Sequence, residues 1–160
     1  MRNTILLLSS IAFFGFASIY QVNRNPQVPA QTRQDSLAAQ RKVHMDELRA
    51  LVAGKEDLPA EEVFTNIQYF KGRPAKTLLA IMNFGYSRGL GVSCEHCHNT
   101  NDWGSDEKVQ KQIAREMSEM SKKINGELLT SIKGLQSEQP AINCTTCHRG
   151  EIIPAQNLPR

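Results

Sequence analysis

The chain has 160 residues, enough for one domain and too few for two of ordinary size. Hydrophobic residues make up 40% and charged residues 22%, a globular rather than a disordered composition. A net charge of +3, with no basic run, argues against a nucleic-acid partner, and aromatics at 6% argue against an aromatic-rich β-sandwich.

Arg2 precedes an uncharged apolar stretch from Ile5 to Tyr20. That stretch is long for the apolar part of a signal peptide and short for a spanning helix, which needs about 20 apolar residues. Residues 1–22 therefore read as a signal peptide or a membrane anchor. Gly15-Phe16-Ala17 permits cleavage after Ala17, and the uncleaved anchor is the favoured reading. Both export the rest of the chain. The expectation is a periplasmic protein, held at the outer face of the cytoplasmic membrane by its N-terminus, or released if cut. Residues 23–34 carry Pro26 and Pro29 and few apolar side chains, and read as a linker. Residues 35–160 are left as the folded domain.

From Asp35 to Val52 the composition favours helix, with Ala38, Met45, Leu48 and Val52 on one loose face. Ala60 to Phe70 reads as a second helix, with Val63, Ile67 and Phe70 at helical spacing. Pro74 opens a third, its missing N–H costing nothing there, and Gly89 and Gly91 close it. The strongest period lies further on. Val109, Ile113, Met117, Met120, Ile124 and Leu128 recur at steps of three and four. Ser105 is the expected N-cap of that helix and Asn125-Gly126 its expected stop. No alternating run is long enough for a sheet, so the fold class is mainly α.

One motif occurs twice. Cys94-Glu95-His96-Cys97-His98 and Cys144-Thr145-Thr146-Cys147-His148 are both C-x-x-C-H, the pattern of covalent c-type haem attachment. Two thiols one helical turn apart reach the two vinyl groups of one porphyrin, and the next histidine supplies the proximal ligand to iron. All four cysteines are used. A four-cysteine zinc site needs no histidine after each pair, and a redox dithiol needs a βαβ context that is missing. Two covalent haems are the expectation, with Cys94 and Cys97 holding one and Cys144 and Cys147 the other. His98 and His148 are then the proximal ligands. His96, inside a haem loop, and His44, on a charged helix, read as solvated.

Each iron has one axial position left, and methionine there suits an electron carrier. Met82 sits on the helix before the first motif. Met117 and Met120 compete for the second iron.

Several segments together resemble the cytochrome c subunit of photosynthetic reaction centres, and more closely the short two-haem proteins related to it. They are Leu78 to Phe84, Leu90 to His98, Ala114 to Met120, Ile124-Asn125, and Cys144 to Gly150. The resemblance covers about Glu61 to Pro154. It implies a small multihaem cytochrome c domain built of helix–turn–C-x-x-C-H units. It implies Met82 and His98 on the first iron, and Met117 and His148 on the second, with Met120 packing. The family's full-length member has four haems and docks on a reaction centre; this chain has motifs for two. The histidine that the family uses for a bis-histidine haem has no counterpart between Glu127 and Ile132.

The implied function is one-electron transfer between redox protein partners at the membrane, including a respiratory or reaction-centre complex, with no bond chemistry of its own. The alternatives are a small di-haem peroxidase-like enzyme, and a haem-carrying subunit or sensor of a larger respiratory or photosynthetic complex.

Overall fold

A computed structural model describes residues 30–157. The apolar stretch within residues 1–22 lies outside them. Among the described residues the chain is helical and no strand forms. The helices are α1 (Ala30–Val52), α2 (Ala60–Val63), α3 (Ala75–Ala80), α4 (Val109–Lys123), α5 (Leu129–Ser131) and α6 (Cys144–His148).

α1 begins at Ala30 rather than Asp35, so residues 30–34 of the stretch read as linker are helical. Gln31 Nε2 donates to Asp35 Oδ1 at 3.0 Å, a one-turn pairing that supports this early start. The helix buries Met45 and Val52 against Ala75 and Leu79, with Leu48, Val63 and Phe64 packed around them. Arg41, also buried, donates from Nη1 to the Val92 carbonyl at 3.2 Å. That bond ties α1 to the residues just before Cys94.

The second helix is much shorter than its apolar spacing predicts. It ends at Val63, because Phe64 is extended and Asn66 takes a left-handed conformation at φ 59°. β-Branched and aromatic residues crowd the preceding turn, and asparagine accepts positive φ more readily than most. Ile67 and Phe70 are therefore not on a helix.

Pro74 caps α3 as expected, but the helix then changes character. Residues Ile81–Arg88 form a π-helix that continues from Ala80. Wide turns of this kind cluster at functional sites, and this one carries Met82, Phe84 and Tyr86.

α4 differs from expectation at both ends and on both faces. Its N-cap is Lys108, and Ser105 instead accepts the Glu107 N–H at 3.2 Å in the preceding turn. Asn125-Gly126 does not stop it, since a π-helix over Ile124–Leu128 leads into α5. The periodic apolar stripe faces outward: Val109 is 63% exposed, Ile113 50%, Met120 46% and Met117 37%. The buried side chain on this helix is Lys111, at 9%. Its Nζ donates to the carbonyls of Trp103 (3.1 Å), Gly104 (3.0 Å) and Ser105 (2.8 Å). Three carbonyls compensate the ammonium for the water it gives up.

Candidate functional site

The first motif lies on a 3-10 turn, Cys94–His96, with Cys97 and His98 directly after it. The His98 N–H bonds to the Cys94 carbonyl at 3.0 Å, closing a turn that brings the two thiols and the imidazole together. Lys108 Nζ reaches the Glu95 carbonyl and steadies the turn from α4. Met82, Cys94, Cys97 and His98 all line one cavity of about 420 Å³. Its walls are mostly apolar, from Met45, Leu48, Leu78, Leu79 and Val92 among others. The volume falls in the range of about 300–1,000 Å³ usual for ligand and cofactor pockets.

His98 Nδ1 is buried and has no hydrogen-bond partner. Burial, then the positive charge of Lys111, lowers the imidazole pKa. The Trp103 backbone pushes the other way without forming a well-directed bond to Nδ1. A neutral, desolvated imidazole on an apolar cavity wall suits a metal ligand. Burial pushes the thiols of Cys94 and Cys97 up as well. The donor set and cavity therefore fit a covalently held porphyrin.

Trp103, which sequence reasoning passed over, stacks at a tilt on His98 with ring centroids 5.4 Å apart. His44 meets Trp103 edge-on at 5.7 Å, with Nε2 3.4 Å from Glu95 and Nδ1 3.3 Å from Glu47. It is thus largely buried against the back of the first motif and not solvated on its helix. His96 is half-buried in the turn. Met45, set aside in the sequence as part of a loose helix, lines the cavity beside Met82. The apolar face of α1 that carries Met45 and Leu48 was legible in the sequence; that it borders this cavity was not.

The second motif forms α6. Asn143 and Thr146 make a reciprocal capping box, and Arg149 ends the helix in the left-handed conformation. Cys144 and His148 are half-buried and Cys147 is exposed. His148 Nδ1 lies 3.0 Å from the Glu151 carbonyl. A carbonyl can only accept, so Nδ1 carries the proton and Nε2 keeps the lone pair that a metal takes. Asn125 holds the approach to α6: its Nδ2 donates to the Ile142 carbonyl at 2.9 Å, and its Oδ1 accepts the Ile142 N–H at 2.7 Å. This clamp was not read from the sequence.

The two motifs are stitched together through glycines. Gly150 N–H donates to the Gly89 carbonyl at 2.9 Å. A Cβ on Gly91 would lie 1.9 Å from the Gly150 carbonyl oxygen, so only glycine permits this approach.

A helical chain that gathers a methionine, two thiols and a neutral imidazole around one apolar cavity, and repeats the attachment motif nearby, is a c-type cytochrome. The model for the photosynthetic reaction centre cytochrome C subunit matches residues 21–158, and the chain belongs to that family. Covalently bound c-type haem comes with this membership. Cytochrome c-554 of Chloroflexus aurantiacus is 34% identical over 83 residues, covering 52% of this chain and 20% of that protein. The photosynthetic reaction center cytochrome c subunit of Thermochromatium tepidum is 27% identical over 126 residues, covering 76% of this chain and 29% of the relative. That of Rubrivivax gelatinosus is 35% identical over 92 residues, covering 49% and 24%. The chain thus spans less than a third of the length of each of these relatives.

Proposed function

We propose that this chain is a two-haem electron carrier that passes single electrons to and from a membrane-bound redox complex. The observation that carries the proposal is the joint placement of Met82, Cys94, Cys97 and His98 on the walls of one cavity. When bound there, haem supplies reversible one-electron iron chemistry. Cys94 and Cys97 would attach it, His98 and Met82 would ligate its iron, and the apolar walls would keep water out.

For the second haem, Cys144 and Cys147 are the attachment points and His148 the proximal ligand. Met117 is the sixth ligand and Met120 packs beside it. Support comes from the outward apolar stripe of α4. A macrocycle over Met117 gives that stripe the burial its composition asks for. With Met82 and Met117 as ligands, neither iron would offer the open site that peroxide chemistry needs, which favours a carrier over an enzyme.

Residues 1–22 anchor the protein and residues 23–29 link it to a haem domain that opens with α1, on the outer, periplasmic face of the cytoplasmic membrane. No described helix is long and apolar enough to cross a membrane, so the anchor reading rests on the leader alone.

The test is intact mass of the exported protein under denaturing conditions, followed by a potentiometric titration and exposure of the reduced form to carbon monoxide. Two haem masses, two one-electron steps and slow carbon monoxide binding are expected. A single haem, or fast carbon monoxide binding at one iron, overturns the proposal.

A further inference from the structure

The π-helix runs between the first cavity and α6, and Tyr86 on it lines that cavity. Its side chain lines the cavity together with Cys97 and His98. One turn further on, a Cβ at Gly89 would sit 3.1 Å from Cys144 Cβ, so the same helix abuts the second motif. The Tyr86 hydroxyl is hydrogen-bonded to Ser118 Oγ on α4. Ser118 Oγ gives its own proton to the Ala114 carbonyl at 2.8 Å, so Tyr86 is the donor. Ser118 is the residue after Met117. The ring is held edge-on by Phe70 at 6.3 Å, and Tyr69 donates separately to the Ser118 carbonyl at 2.9 Å.

We propose that Tyr86 is the electron bridge between the two haem sites, its ring bordering the first and its hydroxyl connecting through Ser118 to Met117 of the second. This rests on the two-haem reading and on Met117 as ligand. With both haems bound, one electron would pass between the two sites, the donor oxidised and the acceptor reduced by one. No bond is made or broken, and Tyr86 keeps its proton and its electron pairs throughout. Burial pushes the phenol up to about 12. The hydroxyl is therefore protonated, and able to donate, across the working pH range.

The experiment uses the full holoprotein and its Tyr86→Phe, Tyr86→Leu and Tyr69→Phe variants. Less than one electron per molecule is injected by pulse radiolysis, and equilibration between the haems is followed by absorbance. Each variant's two potentials are measured so that rates are compared at known driving force. Tyr86→Phe and Tyr86→Leu should slow equilibration by about tenfold or more, which is about 1.4 kcal/mol on the barrier. Tyr69→Phe should leave the rate unchanged. If Tyr86→Leu fails to fold, Tyr86→Phe alone decides. Two haems with a wild-type rate in Tyr86→Phe overturn the bridge and leave the two-haem reading intact. Equal slowing in Tyr69→Phe also overturns it, since a loosened Ser118 then accounts for the effect. A wild-type protein with fewer than two haems overturns the underlying reading.

Discussion

On the two-haem reading, replacing Gly91 with alanine should damage both haem sites at once. Gly91 has φ +65°, where an L side chain costs about 1–2 kcal/mol. The added Cβ would also lie 1.9 Å from the Gly150 carbonyl oxygen and 2.8 Å from its carbon. Both atoms are backbone, so no side chain can rotate away, and the two loops must separate by about 1 Å or more. Overpacking of this kind costs about 1–3 kcal/mol. Together these costs give a loss of about 2–5 kcal/mol, against a total stability of about 5–15 kcal/mol for a domain. Gly91 lies three residues before Cys94 and Gly150 two after His148, so the separation also shifts His98 and His148, the proposed proximal ligands. Chemical unfolding of the holoprotein, followed at the Soret band, measures the first effect, and a potentiometric titration measures the second. Two controls isolate the clash. Gly72→Ala, at φ +76° with nothing within 4 Å, carries only the conformational cost. Gly126→Ala, in open space without positive φ, should be neutral or stabilising by up to about 1 kcal/mol. A Gly91→Ala protein as stable as Gly72→Ala, with both potentials unchanged, would refute the reasoning.

Asn125→Ala removes two hydrogen bonds and leaves the half-buried Ile142 N–H and C=O unpaired, so denaturant unfolding should show a loss of about 2 kcal/mol. On the two-haem reading, its effect on absorbance should fall on the second haem alone. Tyr86 should make stability fall in alkali. Its native pKa of about 12 exceeds the ordinary 10, so above pH 10 the unfolded chain releases a proton that the native protein holds. Stability is fully present below pH 10 and falls by about 2–3 kcal/mol as pH approaches 12, at about 1.36 kcal/mol for each pH step of one across that interval. Unfolding of wild type and Tyr86→Phe over the same interval checks this; parallel curves contradict it. On the proposed ligation, Met82→Ala and Met117→Ala should each convert one haem to a high-spin or misligated form with a lowered potential, read by absorbance and titration. If Met120→Ala does so and Met117→Ala does not, the second ligand is Met120.

Much of the chemistry was legible because it is written in contiguous residues. C-x-x-C-H needs five positions in a row, and both motifs fold as single turns. Pro74 marked its helix start for an equally local reason, its fixed φ and missing N–H. The rest depended on contacts distant in sequence. The π-helix over Ile81–Arg88 uses residues that would fit an α-helix, so no pattern distinguishes the two. Lys111 is buried because carbonyls from Trp103, Gly104 and Ser105 converge on it, a reason invisible in the periodicity of α4. That periodicity correctly marked a helix and an apolar stripe, but not which way the stripe faces. The Asn125 clamp spans 17 residues to Ile142, where a local reading saw only a helix stop. His44 looked solvated because Trp103, its cover, lies far along the chain.

The outward stripe of α4 bears on how the protein is made. Val109, Ile113, Met117 and Met120 face out of the polypeptide's own packing, so on the two-haem reading their burial waits for a group attached after export. Until attachment, the chain presents a greasy helix to chaperones, proteases and other copies of itself. Haem supply then acts as quality control. Cells short of haem should accumulate degradation products of this chain in place of a stable apoprotein, and its abundance should follow the maturation machinery more closely than its own transcript.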